Sequence, residues 1–382
     1  MKIKSLDAPH PMLLAAAHDD FAREAFCRSL TNYLETEARP SLREFYVARV
    51  GPALRVELGR DPQRREIADA MRGIPANRLW YLLRTTAQQL SYLASDAVIE
   101  GQRPALVARA RMRQGARGTL KLDPKLKVPR YVSAHDVHHM PGSYVREHAD
   151  DDVGAGALFD RQMTVNRFGS QGVLNDDPGV SLAAGLRERF PGLRPKRILE
   201  LGCTVGHTLL PFKLAWPDAE VHGIDVSAPC LRYAHARASH LDVEVHWSQR
   251  NAESTGLPDG SFDLVFSRIL MHETSRSAVP RILAECQRLL SPGGVTFHSD
   301  APQFDELDPY TASLRDWDVR CNNEPFMGTY YEMPVESLLV DAGFRRESTF
   351  RGYAPSRHLA THAVDPRLNR SGGRYFYVGA VK

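Results

Sequence analysis

From Lys196 onward the chain alternates short apolar runs with helical stretches, and this alternation limits the possible folds more than any other feature. Arg197-Ile198-Leu199-Glu200-Leu201 is a short apolar run ending in a glycine-containing turn, with a helix expected over 208–216, closed by Pro217. Residues 221–225 read as a second strand, and Ser227 caps the next helix with Pro229 in its first turn. Residues 243–247 alternate as a third strand and 262–266 form a fourth. Val279, Leu283, Cys286 and Leu290 share one helical face that ends at Pro292-Gly293-Gly294. Residues 295–298 give a fifth strand. A helix over 335–341 stops at Gly343, and 346–351 and 375–381 supply two closing strands. The expected fold is α/β: a doubly wound, mainly parallel seven-stranded sheet with helices on both faces. Right-handed crossovers then place every strand-to-helix turn along one edge, where ligands bind.

The first 150 residues follow a different pattern and are expected to form a mostly helical accessory domain, with the α/β domain spanning 151–382. Asp61-Pro62 reads as an N-cap and first-turn proline, with Gly73 and Pro75 stopping that helix. Leu79, Trp80, Leu82, Leu83, Leu90, Leu93 and Ile99 recur at helical spacing over 78–100. Met12-Leu13-Leu14-Ala15-Ala16-Ala17 is too short for a signal segment and is expected to begin a helix. No apolar run approaches the roughly 18 residues that span a bilayer. Five scattered cysteines without a C-x-x-C pair argue against a disulfide framework or a structural zinc and suit a reducing cytoplasm. Net charge is only +3, but residues 103–130 concentrate Arg103, Arg109, Arg111, Arg113, Arg117, Lys121, Lys125, Lys127 and Arg130 against Asp123 alone. That stretch reads as a solvated connection between domains, or as a phosphate-holding surface if the partner is RNA.

Glu200-Leu201-Gly202-Cys203-Thr204-Val205-Gly206 joins the first strand to its helix. Glycine there admits close backbone approach and positive φ, and the helix N-terminus that follows favours negative charge. Asp225, at the tip of the second strand, stands where a carboxylate accepts hydrogen bonds from both hydroxyls of a ribose. A nicotinamide fingerprint begun at Gly202 would need glycine at Thr204 and His207, so the turn belongs to another nucleotide class.

The run from Arg197 to Ser299 resembles the core of class I S-adenosylmethionine-dependent methyltransferases of the small-molecule type. The resemblance rests on Leu199-Glu200-Leu201-Gly202-Cys203 with Gly206, on Gly223-Ile224-Asp225, and on Asn251-Ala252-Glu253 followed by 257–265. Leu289-Leu290-Ser291-Pro292-Gly293-Gly294 completes the series, and Asp341-Ala342-Gly343-Phe344 extends it. It implies S-adenosylmethionine as cofactor, with Gly202, Cys203 and Gly206 passing beside the methionine part. Glu200 would hold the ammonium, Asp225 the ribose, Val226 the adenine face, and Asn251 with Ala252 the adenine edge. Ser267, at the end of the fourth strand, would border the same ligand. Thr204 departs from the family's usual glycine and narrows the room for the cofactor.

Methyl transfer is an in-line displacement in which holding the nucleophile at near-attack distance does much of the work. His272, after the fourth strand, is the expected base or orienting group, with Glu273 and Asp300 in support. The Pro-Pro-aromatic motif of amino-methylating nucleic-acid enzymes is absent there, as is the Pro-Cys nucleophile of cytosine-carbon enzymes, so the expected acceptor is a small molecule and not a nucleic acid. His135, His138 and His139 lack a carboxylate-rich pattern around them, and no metal is expected. Instead, this histidine segment and the following residues 156–161 are expected to fold over the cofactor mouth, with Arg161 meeting the methionine carboxylate. An insertion over about 300–334, carrying Trp317, Asn322, Asn323, Glu324, Phe326, Tyr330 and Tyr331, reads as a substrate lid. The helical domain would close the pocket or form a homodimer. The competing readings are an RNA-directed methyltransferase that uses the basic stretch, and a cofactor-binding scaffold without activity.

Overall fold

The computed structural model describes residues 9–112, 117–167, 169–362 and 373–382, so Arg113 of the basic stretch lies outside the described residues. Helices α1 (His18–Tyr33), α2 (Arg39–Phe45), α3 (Gly51–Leu58), α4 (Arg64–Arg72) and α5 (Pro75–Met112) build the N-terminal region. Residues 11–17 precede α1 as a turn and extended chain rather than a helix, because Met12 and Leu14 are buried among Tyr92, Ile99 and Leu158. Helix α4 is capped two residues later than expected. Gln63 and Glu66 form a reciprocal capping box, so Asp61 stays outside the helix and pairs with Arg55 instead. Pro75 opens α5 instead of stopping α4, as a first-turn proline can.

The basic stretch is a strand as well as a connection. β1 (Thr119–Lys121) adds to the edge of the sheet, parallel to β4 (His246–Gln249). After the short helix α6 (Arg130–Ser133), two helices, α7 (Gly154–Arg167) and α8 (Asp177–Arg189), lead into β2 (Arg197–Leu201). Then follow α9 (Leu209–Ala215), β3 (Glu220–Asp225), α10 (Ala228–His240), β4, β5 (Phe262–Arg268), α11 (Ala278–Leu289) and β6 (Leu290–Ser299). Short helices occupy 309–331 before α15 (Val335–Asp341), β7 (Thr349–Pro355) and β8 (Arg374–Val381). The sheet has eight strands in the order β1-β4-β3-β2-β5-β6-β8-β7, with only β8 antiparallel to its neighbours. Seven were expected; the eighth is β1, too short and too charged to register as a strand in the sequence. Residues 346–348 form a helical turn, so the seventh strand begins at Thr349.

Parallel strands covered on both faces must be apolar throughout, and β2 is buried at four successive positions. One face carries Phe212, Phe266 and Phe297 in a stack with ring centroids 4.3 and 5.1 Å apart in succession. The other packs Val265 and Leu199 against Ile282 and Leu283 of α11 and Leu339 of α15. A third core joins α5, α7 and α10 through Tyr92, Leu158 and Tyr233.

At the centre of that third core sits Asp160 of α7. It accepts from His10 Nε2 (2.8 Å), His207 Nε2 (2.7 Å) and the Tyr233 hydroxyl (2.8 Å), all buried. Burial pushes the His207 pKa down to about 4, so at neutral pH its imidazole is uncharged and donates Nε2–H to the carboxylate. Replacing Asp160 with Ala strands three buried donors. Urea unfolding is expected to show a loss of at least about 3 kcal/mol, against about 1 kcal/mol for an ordinary substitution.

Candidate functional site

One cavity of about 830 Å³ opens along the C-terminal edge of β2, β3 and β5. Its first part is built by the β2–α9 turn. Gly202 has φ +66°, and a side chain there would bring Cβ to 2.7 Å from Leu270. Glu200 is buried, and its Oε2 has no hydrogen-bond partner among the described residues. Burial raises the pKa of Glu200 well above the usual carboxylate range, Arg268 drawing it down and Asp225 adding to the rise. Asp225 accepts the Thr204 N–H on Oδ2 and the Ser227 N–H on Oδ1, each at 2.9 Å. Its pKa is raised by burial, against the pull of those amides. The two carboxylates face one cavity and share no cation between them.

Thr204 does more than narrow the loop. Its φ is +47°, a conformation that is unusual for a β-branched residue. Its amide is thereby aimed at Asp225. Ile269, just past β5, repeats the strain with φ +48° and donates its N–H to the Ser299 carbonyl at 2.8 Å. Strain of this kind collects where surrounding structure holds it for a purpose.

Glu200, Gly202, Cys203, Asp225, Val226, Asn251 and Ala252 all line the cavity. Three other expected cofactor contacts lie elsewhere. Arg161 points away, held by Glu24 (2.6 and 2.8 Å) and the Leu14 carbonyl (2.5 Å), a buried pair that uses up its guanidinium. The guanidinium that α7 does bring to the cavity is that of Arg167, one helical turn and a half further on. Ser267 is buried beneath the site, its hydroxyl bonded to His298 Nδ1 at 2.9 Å. Gly206 stays outside the lining; its φ of +78° completes the turn, and a Cβ there would meet Trp247 at 2.6 Å.

His272, Glu273 and Asp300 line the same cavity and are bonded together. His272 Nδ1 is hydrogen-bonded to Asp300 Oδ1. Burial alone would lower the His272 pKa, but Asp300, with Glu273 and Glu324 behind it, outweighs that and raises it to about 9. His138 joins them, with Nε2 3.1 Å from Glu273 Oε1 and Nδ1 3.0 Å from Glu324 Oε1. Tyr144 donates to Glu273 Oε1 at 3.1 Å. The three neighbouring histidines therefore part company: His139 turns to the Cys321 carbonyl at 2.8 Å, and His135 packs near Phe326. Sequence reasoning placed no role on Tyr144 or Arg268, whose signal is only spatial. Residues 131–145, which include the histidine segment expected over the cofactor mouth, bring Tyr131, Val137, His138 and Tyr144 to the cavity.

Three of the nine basic side chains over 103–130 form ion pairs within the fold. Arg103 pairs with Asp152 and Glu100, Arg111 with Asp151, and Arg117 with Asp242.

Residues 198–294 match the methyltransferase domain family. The chain is 34% identical over 121 residues to a malonyl-[acyl-carrier protein] O-methyltransferase of Methylococcus capsulatus, covering 32% of this chain and 42% of that protein. It is 36% identical over 100 residues to a demethylmenaquinone methyltransferase of Thermus thermophilus, covering 26% and 44%. A solved phosphoethanolamine N-methyltransferase 2 from Haemonchus contortus, in complex with S-adenosylmethionine, is similar with a TM-score of 0.41 and 17% identity, over 62% of this chain and 58% of that one. The chain thus spans less than half the length of the curated relatives it matches. Residues 198–294 are similar to the methyltransferase domain of these relatives.

The residues present fit S-adenosylmethionine. A buried carboxylate oxygen without a partner suits an ammonium, and the carboxylate at the tip of β3 suits a pair of hydroxyls. An ammonium beside Glu200 favours its ionised form, so binding expels the proton that burial retains. Calorimetry of S-adenosylhomocysteine binding in buffers of different ionisation enthalpy should show net proton release. Affinity should climb with pH through the range in which free Glu200 titrates, and Glu200→Gln should abolish both effects. A second expectation concerns the loop: Thr204→Gly should relieve strain worth about 1–2 kcal/mol, less the entropy cost of glycine. A net stabilisation of roughly 0.5–1 kcal/mol in urea unfolding would show it.

Proposed function

We propose that the chain transfers a methyl group from S-adenosylmethionine to a small-molecule acceptor held between the sheet edge and the helical N-terminal region. The reading is carried by one observation: Glu200 and Asp225 face the same cavity as His272, Glu273 and Asp300. Adenosyl ligand and acceptor would then meet in one enclosed space.

When bound, the sulfonium supplies an electrophilic methyl carbon. Asp225, its geometry fixed by two backbone amides, would accept from the ribose hydroxyls; Glu200 would hold the ammonium. Val226, Asn251 and Ala252 would border the adenine. His272, with Asp300 behind it and Glu273 beside it, would orient the acceptor from the opposite side, where positioning rather than bond-making supplies most of the rate.

Residues 1–150 would serve as the cover of this pocket. Gln88 and Tyr92 of α5, with His138 and Tyr144, line the cavity and would exclude water from the transfer. Two guanidiniums, Arg167 and Arg268, face it as well. Burial, with the charge of Arg268, pushes the Arg167 pKa down to about 10, and its Nε has no hydrogen-bond partner among the described residues. Such a pair suits the methionine carboxylate and, beyond it, an acceptor that carries negative charge. The half-exposed apolar side chains Phe21 and Phe26 of α1 and Leu82 and Leu93 of α5 support a homodimer formed through these helices. All five cysteines are free, which suits work in the cytoplasm.

The test is binding followed by turnover. S-adenosylhomocysteine should give a saturable heat in calorimetry, weakened about 10–100-fold by Asp225→Ala, the loss of two hydrogen bonds to a charged group. His272→Ala should leave that affinity nearly unchanged while lowering methyl transfer to the acceptor. No heat from the folded wild-type chain would remove the proposal.

A further inference from the structure

The side chains at the far end of the cavity form more than a hydrogen-bonded cluster. Glu273 Oε1 is approached by two imidazole nitrogens, His138 Nε2 at 3.1 Å and His272 Nε2 at 3.7 Å. No two of the three ligand atoms are more than 4.8 Å apart. Donors bound to one ion at about 2.0–2.1 Å with tetrahedral angles lie about 3.3 Å from each other. The two histidine–glutamate separations bracket that spacing.

The outer contacts have the arrangement that metal-binding histidines require. Each imidazole gives its other nitrogen to a carboxylate: His272 Nδ1 to Asp300, His138 Nδ1 to Glu324 at 3.0 Å. A neutral ring that donates Nδ1–H to its carboxylate presents the inward nitrogen as a lone-pair donor, and His138 Nδ1 lies 3.1 Å from Asn322 Nδ2 as well. His138 is held in place by a positive φ of +55°, which a hydrogen-bonding role alone gives little reason to maintain. Glu324 is almost fully buried, and its Oε2 has no hydrogen-bond partner among the described residues. Three carboxylates, Glu273, Asp300 and Glu324, therefore crowd two imidazoles. A divalent cation offsets that negative charge by the same two units as a proton on each ring, and could take their place.

We propose that His138, His272 and Glu273 bind a divalent first-row transition-metal ion at the acceptor end of the cavity. Two imidazoles and one carboxylate favour zinc, iron(II) or cobalt(II) over magnesium, which prefers oxygen donors. Three protein ligands leave at least one position open to the cavity. Placing that position beside the acceptor rests on the methyl-transfer reading; the site itself does not. A bound ion of this kind acts as a Lewis acid, lowering the pKa of an oxygen coordinated to it. That chemistry would give an acceptor hydroxyl or enol its anionic form at neutral pH.

The experiment uses the full chain, without a histidine tag, stripped with a chelator and titrated with Co²⁺ and with Zn²⁺. The expected result is one ion per chain, with visible Co²⁺ absorption bands of a low-coordinate nitrogen–oxygen site. His138→Ala and Glu273→Gln should abolish the bands. Asp300→Asn, which touches only the outer contact, should weaken binding about 10–100-fold. His135→Ala, a neighbour outside the trio, should change nothing. S-adenosylhomocysteine affinity is measured on every variant. If the folded wild type binds the cofactor product but no metal, or if metal binding survives His138→Ala with Glu273→Gln, the metal site is overturned while the methyltransferase reading stands. If metal binds and the cofactor product does not, the reverse holds.

Discussion

The buried carboxylate of Asp160 holds the two halves of the molecule in register. It takes hydrogen bonds from His10 near the start of the chain, from His207 in the turn after β2, and from Tyr233 in α10. An ionised carboxylate has no place in an apolar core unless its oxygens are fully occupied, so the contact is all or nothing. Because one donor belongs to the turn that carries Gly202 and Thr204, the N-terminal region cannot move off the sheet without disturbing that turn. The accessory helices and the cofactor loop are therefore one mechanical unit, and a cover built on those helices sits at a fixed height above the sheet edge.

Much of the α/β half was legible because its physics is local. A strand buried on both faces must be a continuous apolar run, a crossover must be right-handed, and a carboxylate at the tip of β3 must answer to the turn after β2. Asp225 reaches the cavity from that logic, and Glu200 and Asn251, placed by the family resemblance, line it as well. The failures have equally physical causes. Arg161 was placed by its position ahead of the domain, but a helix points successive residues in different directions, and this one faces Glu24. Ser267 sits on the same strand as residues that line the cavity, yet the period of two turns it under the site toward His298. β1 escaped notice because three residues with a lysine at the edge carry no hydrophobic pattern, their register being set by β4.

The acceptor side was harder to read, since its residues arrive from three separate parts of the chain. His138 and Tyr144 come from the crossing segment, His272 and Glu273 from the turn after β5, and Glu324 from the insertion. None has a spacing rule that ties it to the others. The strained backbone at Ile269 and His138 marks the places where the chain bends to bring them together.

This division of labour follows from where the two ligands touch the fold. On the proposed reading the adenosyl ligand would be grasped by turns that the sheet itself fixes, and those turns lie within residues 198–294, the part matching the methyltransferase family. The groups facing the acceptor are supplied largely from outside that span. Residues 131–145 also reach the cofactor side, since Ser227, whose amide holds Asp225, donates its hydroxyl to the Tyr144 carbonyl at 2.6 Å. Conversely, Glu273 lies within the matched span but takes its partners, His138 and Tyr144, from beyond it. It is the joint at which a shared scaffold is fitted to one particular chemistry.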